Sequence, residues 1–476
     1  MIKKSTPARP VTSEEPVRRG LLRPEYGFGR ERGRLNFMAA EPGVIDPTGQ
    51  EHADQAPPYK ATRPLALPYY VYAVLSNSLF QRGVFVVYLI DQGFSAGQIA
   101  LLQTLLYLVS ALAEIPTGFL ADRIGRRTSI VFGQALIALC LVGEVTLSGY
   151  PWFVAIFILY GIGMAFVSGA ETALLYDLLR RRGLEIHYVK VKSRYTTLGS
   201  LTMALAIAVG GSLQKISWEL VYLGAAVALI LSAVVLMARM PELRGKDVAD
   251  LDEPAESGDD RDGDGDGDGE VDGSSDADGP HLGKMAVLKS VTPRLASLVL
   301  VSGLMHATMT PYFIFIQEAL THQGVATSLV SAVMSAAFLI GGFAPLLADQ
   351  ANRRLGVRLL VPLTLAVLIA SLGFSGMEWA WLTIAVFLLA VGAPDITAVV
   401  VDDVFNQGVP SRYRSSLLSV ITFVESLLIA CGYFLLGWLI DAFGSGTGFA
   451  WYAAVPAVAL VLSIPSVLNG RWVKAA

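Results

Sequence analysis

The chain has 476 residues, of which 53% are hydrophobic and only 16% are charged, and its mean hydropathy is +0.54. This composition is too apolar for an ordinary soluble protein and predicts a membrane protein. The formal net charge of −4 conceals an uneven distribution, because the stretch from Asp250 to Asp278 holds 14 acidic residues against one arginine. The rest of the chain has 35 basic and 26 acidic residues, a net charge of +9.

Runs of apolar residues long enough to cross a bilayer recur along the chain. A hydrocarbon core of about 30 Å requires about 20 apolar residues per helix, and such runs occur six times on each side of the acidic stretch. They are continuously apolar and lack the alternation of barrel strands, so they predict helices. The predicted spans are 67–90, 97–121, 128–147, 152–176, 195–214, 218–238, 291–319, 326–348, 357–375, 379–401, 415–440 and 449–468. Cys140 and Cys431 fall inside spans, which favours buried thiols without a disulfide.

Basic residues lie almost entirely on one side of these spans. The short loops on the side of the N-terminus hold thirteen lysines and arginines, and the short loops on the other side hold only Lys215. Because positively charged loops stay in the cytoplasm, both termini are predicted to be cytoplasmic and the protein to lie in the plasma membrane. The thirteen are Arg123, Arg126, Arg127, Arg180, Arg181, Arg182, Lys190, Lys192, Arg194, Arg353, Arg354, Arg412 and Arg414.

Two polar segments divide the chain into four parts. Residues 1–62 and 243–288 lack any apolar period, so both are predicted to be disordered in the cytoplasm. They leave one six-helix bundle at 63–242 and another at 289–476. The acidic linker contains Asp-x-Asp-x-Asp-Gly, but Ser275 stands where a calcium loop needs its final Glu, so calcium binding is not indicated.

The segment between spans 4 and 5 has a mixed character. Residues 177–194 interleave basic and apolar side chains, which fits a short helix on the membrane surface as well as an ordinary basic loop. Span 4 itself carries Gly161, Gly163, Ser168 and Gly169, small residues that let helices approach closely.

One ten-residue sequence occurs twice, each time between two apolar runs. The first copy is Gly-Phe-Leu-Ala-Asp-Arg-Ile-Gly-Arg-Arg at 118–127, and the second, 227 positions later, is Pro-Leu-Leu-Ala-Asp-Gln-Ala-Asn-Arg-Arg at 345–354. Gly118 would let a neighbouring helix pass close by, and Gly125 suits a tight turn with left-handed backbone. Asp122 can accept hydrogen bonds from helix N-terminal amides and pair with an arginine. The positive-inside rule alone explains the arginines but not Asp122 or the glycines.

Two sets of six spans, a long linker, and a motif between the second and third span of each set resemble the major facilitator superfamily. The first copy matches the signature Gly-x-x-x-Asp-Arg-x-Gly-Arg-Arg at Gly118, Asp122, Arg123, Gly125, Arg126 and Arg127. The second copy keeps Asp349, Arg353 and Arg354 but has Pro345, Gln350 and Asn352 at the other key positions. The resemblance covers 65–470 and implies an all-α membrane protein of twelve transmembrane helices in two six-helix bundles.

The resemblance also implies a role for the first motif. It would help to close the cytoplasmic side, with Asp122 paired to the inner end of span 11 near Arg412 and Arg414. The Glu-Ile-Pro-Thr sequence at 114–117 and the Tyr-Asp pair at 176–177 are similar to prokaryotic drug- and sugar-efflux carriers. The abundance of Asp in the linker indicates a high-salt, haloarchaeal source.

Ionisable residues inside the spans cost at least about 2.5–3.5 kcal/mol each on insertion, so they should face the bundle interior or a water-filled cavity. The candidates for transport or proton coupling are Glu171, Asp395, Arg82, Glu114, Glu425 and His306. The resemblance implies that spans 1, 4, 7 and 10 line the cavity. We expect Glu171 or Asp395 to carry the coupling proton, with Arg82 tuning it or receiving an anionic group. The alternative is a structural pair between Arg82 and Glu171 or Glu114.

Two further acids, Glu144 and Glu318, lie near the outer ends of spans 3 and 7 and are expected to be solvated. The predicted function is therefore secondary transport by alternating access, with proton-coupled export of a small, partly apolar compound preferred and proton- or sodium-coupled uptake of an organic solute or sugar as the alternative. Antiporters of the superfamily tend to carry Gly-Pro where Ala206 and Ile207 stand, which weakens the export assignment.

Other classes fit the sequence less well. No phosphate-binding loop and no pair of histidines at metal-ligand spacing occur, so an enzyme, a cofactor and a metal site are not indicated. A receptor or scaffold would not need several charges inside its spans. The predicted partners are a small-molecule substrate, protons and the lipid bilayer, and no nucleic acid.

Overall fold

The structure is a computed structural model that describes residues 58–243, 293–377, 379–409 and 411–469. Every regular element in these ranges is a helix, which confirms the all-α prediction. Apart from their few residues inside these ranges, the predicted tail and acidic linker lie outside the described residues. The α-helices are α1 Arg63–Ser76, α2 Phe85–Asp91, α3 Ala96–Ile124, α4 Arg126–Thr146, α5 Tyr150–Arg180, α6 Tyr188–Leu213, α7 Trp218–Arg239, α8 Pro293–His322, α9 Thr327–Phe343, α10 Ala348–Ser375, α11 Ala380–Ala390, α12 Ala393–Gly408, α13 Ser411–Phe443, α14 Ser445–Tyr452 and α15 Ala454–Asn469.

Ten helical segments in the described ranges are long and apolar enough to cross a membrane. They coincide with predicted spans 2 to 12, since predicted spans 8 and 9 belong to one helical run, Thr327–Ser375. Predicted span 1 is not among these segments, because it is divided between α1 and α2, and neither is long enough to cross a bilayer alone. The structure therefore differs from the single helix predicted over 67–90. The total of twelve spans and the cytoplasmic termini remain predictions.

The break in the first span follows from its polar sequence. After Ser76 the chain continues Asn-Ser-Leu-Phe-Gln-Arg-Gly, and the Asn77 side chain donates a hydrogen bond to the Ala73 carbonyl oxygen at 2.8 Å. Such a bond competes with regular helical backbone bonding. A 3-10 turn over Phe80–Gly83 then leads to α2. Arg82 consequently lies in an irregular segment in the middle of the predicted span.

Small residues allow close contacts inside the first half, as predicted for span 4. A Cβ on Gly161 would lie 2.8 Å from the Leu106 carbonyl oxygen, and a Cβ on Gly163 would lie 3.0 Å from the Gly133 carbonyl oxygen. These distances leave no space for a larger side chain, so α5 packs tightly against α3 and α4.

The two halves of the bundle meet near the ends that carry Ser95 and Asp441. The Ser95 hydroxyl donates to Asp441 Oδ2 at 2.8 Å, and the Thr104 hydroxyl donates to the Ala430 carbonyl oxygen at 3.1 Å, which joins α3 to α13. Ser331 on α9 donates to the Ile207 carbonyl oxygen on α6. We call this region the opposite end and the end at Gly125 the motif end. Two seams, α3 with α13 and α6 with α9, therefore close the opposite end.

The α3 side of the first seam opens toward the motif end. Tyr107, Glu114 and Gly118 recur at intervals of seven and four residues, so they lie on one face of α3. The Tyr107 ring lies 5.5 Å from the Tyr433 ring of α13. Glu114 is exposed, and no other element of the described chain comes within 4 Å of a Cβ placed on Gly118. The face that contacts the second half at Tyr107 is thus uncovered at Gly118.

The structure bears on two local predictions. Of the two alternatives for 177–194, the separate surface helix is wrong, because Glu185–His187 make only a 3-10 turn and α6 already begins at Tyr188. Cys140 and Cys431 are free thiols, and Cys140 is buried as predicted. Cys431 is exposed, because its side chain lies on a face of α13 that does not pack against a neighbour.

Candidate functional site

The first motif makes a tight turn between α3 and α4. Gly125 has φ = 104°, which confirms the predicted left-handed turn, and a Cβ there would lie 2.3 Å from Glu242 Oε1. The Glu242 carboxylate accepts hydrogen bonds from the backbone amides of Arg127 and Thr128 at 2.9 and 3.1 Å. Glu242, and not Asp122, therefore caps the N-terminus of α4. Sequence reasoning missed Glu242, whose only signal is an acid directly after span 6.

Arg126 forms the main ion pair of the motif. Its guanidinium donates to Asp177 at the end of α5, and the two side chains are only 16% and 6% exposed. The Asp122 carboxylate lies 3.9 Å from Arg126 and is 58% exposed. The pairing of Asp122 with Arg412 or Arg414 remains a prediction, because those side chains lie outside the described residues. The motif thus binds α4 to α5 inside the first half.

The other motif residues have different environments. Arg127 Nε lies 3.3 Å from Glu242, and Arg127 also donates to the Met240 carbonyl oxygen at 2.7 Å. Arg123 is exposed. Gly118 does not have the predicted close neighbour, because the α3 face on which it lies is uncovered toward the motif end.

The second copy of the motif turns later than the repeat predicts. Asn352 occupies the place of Gly125, but the left-handed residue is Gly356, with φ = 64°. Arg353 and Arg354 therefore precede the turn and are exposed on the first part of α10. Arg353 pairs with Asp349 one helical turn earlier at 2.8 Å, and this pair is exposed. The second copy consequently lacks the buried ion pair that the first copy forms.

A cavity of about 110 Å³ lies beside the break in the first span. Arg82 lines it and is exposed to it, and within the described ranges no carboxylate oxygen lies within 4 Å of its guanidinium. The proposed structural pair of Arg82 with Glu171 or Glu114 is therefore not formed. Three tyrosines and an amide share the cavity wall, namely Tyr107, Tyr160, Tyr433 and Gln103.

Two glutamines near Arg82 have side-chain oxygens that accept no hydrogen bond from the described residues. Gln81 is buried and lines the cavity, and Gln317 on α8 donates to the Arg82 carbonyl oxygen at 3.5 Å. The Oε1 atoms of both glutamines are buried and accept no hydrogen bond from the described residues. Buried polar groups of this kind are normally satisfied by water or a ligand, so the region around Arg82 is suited to a polar guest.

Glu144 lines the same cavity and is only 4% exposed. The expectation that it is solvated was wrong, because α2 and α7 cover the end of α4. Tyr88 of α2 donates to the Glu144 carbonyl oxygen at 2.6 Å, and its ring lies 4.8 Å from the ring of Tyr222 on α7. Glu318 was misjudged in the same way and is 6% exposed, with its Oε1 3.9 Å from Nε2 of His322. The position of these two acids near the ends of their predicted spans did not reveal that other side chains cover them.

Glu171 is held by tyrosines from two other helices. Its carboxylate accepts hydrogen bonds from Tyr72 at 2.8 Å and from Tyr195, both through Oε1. Tyr69 donates to its backbone carbonyl oxygen at 2.9 Å. Charge-assisted bonds from hydroxyl groups are strong, so Glu171 connects α1, α5 and α6 near the motif end.

The second half brings His306 and Glu425 together. His306 Nδ1 on α8 lies 2.5 Å from Glu425 Oε1 on α13, and both side chains are partly buried. Asp395 and Asp402 of α12 lie within electrostatic range of the imidazole. The sequence singled out three of these four residues and missed Asp402. The direction in which a residue of one helix faces a neighbouring helix cannot be read from the sequence alone.

Glu114 stands apart from both clusters. It is exposed on α3, and its carboxylate makes no ion pair with any residue in the described ranges. It lies on the uncovered face of α3 that leads from Tyr107 toward Gly118. The six predicted transport residues are therefore distributed over one central cavity, two side-chain clusters and one exposed helical face.

Two helical halves that join at one end, leave a face of α3 uncovered by the described residues toward the other, and enclose a cavity lined by ionisable side chains have the arrangement of a membrane carrier. The family model described as Major Facilitator Superfamily matches residues 70–427, which is more than half of the chain, so the chain belongs to that superfamily. It is therefore a multi-pass helical membrane protein of a transporter family, which is not a class of enzymes, and it resembles family members of the plasma membrane.

Two curated relatives match parts of the chain. One is the uncharacterized MFS-type transporter MJ1317 of Methanocaldococcus jannaschii, 31% identical over 127 residues, which cover 27% of this chain and 31% of that protein. The other is the gentisate transporter of Corynebacterium glutamicum, 25% identical over 132 residues, which cover 28% of this chain and 30% of that protein. The chain thus spans about a third of the length of the curated relatives it matches.

The fold is also that of solved transporters. The structure of a point mutant of the nucleoside transporter NupG superposes with a TM-score of 0.68 at 12% identity, over 84% of this chain and 99% of that chain. At this identity the likeness establishes the helical architecture.

Proposed function

We propose that this chain exports a small, partly apolar organic compound in exchange for protons. The observation that carries the transport part of the proposal is the one-sided opening of the bundle, and the export direction follows the similarity of 114–117 and 176–177 to efflux carriers. Ser95 and Asp441 join the halves at the opposite end, whereas Glu114 is exposed and no other element of the described residues covers α3 at Gly118 toward the motif end. A carrier that works by alternating access passes through such a state, because its central site then opens to one side.

The clusters of ionisable residues support coupling to protons. Glu171 is fixed by Tyr72 and Tyr195, which suits a structural charge. Asp395 accepts no hydrogen bond from the described residues, yet it lies beside the His306–Glu425 pair. A carboxyl next to a histidine–carboxylate pair can gain or lose a proton as the cavity changes sides. Asp395 is therefore the better proton carrier of the two predicted acids.

Uptake is the second candidate, and it is favoured by Ala206 and Ile207 in α6. These two residues stand where antiporters tend to carry Gly-Pro. The matched gentisate transporter shares only part of its length with this chain, so its substrate is no more than a compound to include in the assay.

The test uses purified protein in liposomes that contain a pH-sensitive dye, with an imposed proton gradient and a panel of lipophilic cations, sugars and organic acids, gentisate included. Export coupling predicts that at least one compound drives proton movement opposite to its own, and that Asp395→Asn abolishes the coupling. Asp403→Asn is the matched control, because Asp403 is exposed on the same helix and bonds Gln407.

Two results would reject the proposal. Movement of the compound and the proton in the same direction would establish uptake instead of exchange. Transport without any proton movement, unchanged in Asp395→Asn and Glu171→Gln, would mean that both acids are structural and that the carrier uses another ion or none.

A further inference from the structure

We propose that the cavity at the break of the first span binds a small organic anion, and specifically a carboxylate attached to about one apolar ring, through the guanidinium of Arg82. This inference deepens the proposed function by naming the substrate class, and it rests on that function only for the claim that the bound molecule is carried.

The first step is the charge of Arg82. A guanidinium stays protonated at any physiological pH, and placing it inside a membrane protein is costly unless a partner compensates it. No carboxylate of the described residues lies within 4 Å of it, and it faces the cavity. The arginine fork matches a carboxylate through two parallel hydrogen bonds. An anion from outside the protein is therefore the partner that the site lacks.

The second step is the way in which the chain presents Arg82. The 3-10 turn at Phe80–Gly83 interrupts the helix, and Gly83 packs so closely on α6 that a Cβ there would lie 2.5 Å from Ile207 Cγ2. Gln317 holds the Arg82 carbonyl oxygen. Backbone contacts on both sides of the side chain thus fix the base of Arg82, while its guanidinium makes no ion pair within the described ranges.

The third step is the shape and chemistry of the wall. Tyr107, Tyr160 and Tyr433 supply flat rings with hydroxyl groups, and Phe85 and Phe157 supply apolar surface. The cavity of about 110 Å³ is smaller than the dry cavity of about 150 Å³ that accommodates benzene, so its volume limits the guest to at most one small ring. The carboxylate is required by the charge of Arg82, and the ring is suggested by the aromatic wall.

The fourth step concerns Glu144, the acidic residue of the same wall. When it is ionised, its carboxylate repels an anion and attracts a cation, so the two residues then give opposite predictions. Replacing Arg82 should weaken the binding of an anion, whereas replacing Glu144 should strengthen that binding. A cation site would reverse both signs.

The test measures binding of benzoate, benzamide and benzylammonium to the full-length protein in detergent by calorimetry at fixed pH. The three compounds share one ring and differ in charge. We expect benzoate to bind about tenfold or more tightly than benzamide, Arg82→Gln to abolish this preference, and Glu144→Gln to increase it. Arg82→Lys should retain part of it, because a lysine supplies charge without the fork. Arg358→Gln, at an exposed site on α10, is the matched control and should change nothing.

Three results would overturn the inference. Benzamide could bind as tightly as benzoate, benzylammonium could bind most tightly and lose affinity in Glu144→Gln, or the benzoate preference could persist in Arg82→Gln. Thermal unfolding of each variant verifies that it is folded. If Arg82→Gln does not fold, Arg82→Lys and Glu144→Gln still decide the sign.

The same compounds in the liposome assay separate this inference from the proposed function. Transport of a neutral or cationic compound without benzoate binding would leave the carrier standing and reject the anion site. Benzoate binding that depends on Arg82, without proton-coupled transport of any compound, would support the anion site and reject the proposed export.

Discussion

Glu242 Oε2 lies 2.5 Å from the Thr128 hydroxyl oxygen and so ties the end of α7 to the start of α4. The same carboxylate accepts the Arg127 and Thr128 amides, which have no partner within their own helix. A residue from beyond the sixth span therefore completes a turn whose other members are the Gly118–Arg127 motif and the adjacent Thr128.

Removing this cap should destabilise the first half. Glu242→Ala leaves two helix N-terminal amides without their acceptor and Arg127 without its partner, so we expect a loss of about 1–2 kcal/mol. Glu242→Gln keeps one acceptor and should cost less. Thermal unfolding in detergent measures both. Equal melting temperatures for the two variants and the wild type would show that the amides are satisfied in another way.

The Arg126–Asp177 pair should be strongly coupled. Both side chains are largely buried, so Arg126→Gln or Asp177→Asn alone leaves a charge without its partner. We expect either change to lower the free energy of unfolding by up to about 3–5 kcal/mol. The double variant should cost less than the sum. A double-mutant cycle on unfolding free energies measures the coupling.

The exposed Arg353–Asp349 pair is the matched control for that cycle. It has the same chemistry at 2.8 Å, but exposed pairs contribute about 0.2–1 kcal/mol. If the two cycles give equal coupling energies, burial does not strengthen the first pair.

Gly356 should be the sensitive position of the second motif. Its φ of 64° disfavours a side chain, so Gly356→Ala should cost about 1 kcal/mol, whereas Asn352→Ala should have almost no effect. Chemical unfolding of the two variants compares them directly. A larger loss of stability for Asn352→Ala would indicate that the turn lies at Asn352, as the sequence repeat predicts.

Gly125→Ala provides a comparison in the first half. The new methyl group would also collide with Glu242 Oε1 at 2.3 Å, so its loss of stability should exceed that of Gly356→Ala.

The sequence predicted what depends on local pattern. Apolar runs gave the positions of most helices. The turn at Gly125 was predicted correctly because a glycine in a short polar stretch between two apolar runs suits a turn with positive φ. The break before Arg82 was not predicted, because hydropathy averages over Asn77 and Gln81 as if they were tolerated in a helix. Glu242 was missed because its partners lie more than 110 residues away in the chain, and burial of Glu144 depends on two helices that pack over it.

A larger side chain introduced into either seam should weaken the contact between the two halves at the opposite end. A Cβ on Gly211 of α6 would lie 2.3 Å from Ser331 Cβ of α9, so Gly211→Val forces this seam apart. Because α3–α13 joins the same two halves, that seam should loosen as well if the halves move as rigid bodies. Overpacking costs about 1–3 kcal/mol, which shifts a two-state population by a factor of about 5 to 160.

Disulfide crosslinking between Ser95→Cys and Asp441→Cys reports the α3–α13 seam, since the native side chains are in contact at 2.8 Å. The background carries Cys140→Ala and Cys431→Ser so that no other thiol reacts. We expect Gly211→Val to reduce the crosslinking yield and Gly373→Val to leave it unchanged, because a Cβ on Gly373 meets no atom within 4 Å in the described ranges. An unchanged yield in Gly211→Val would mean that each seam opens independently, and the closure would then be local to each helix pair.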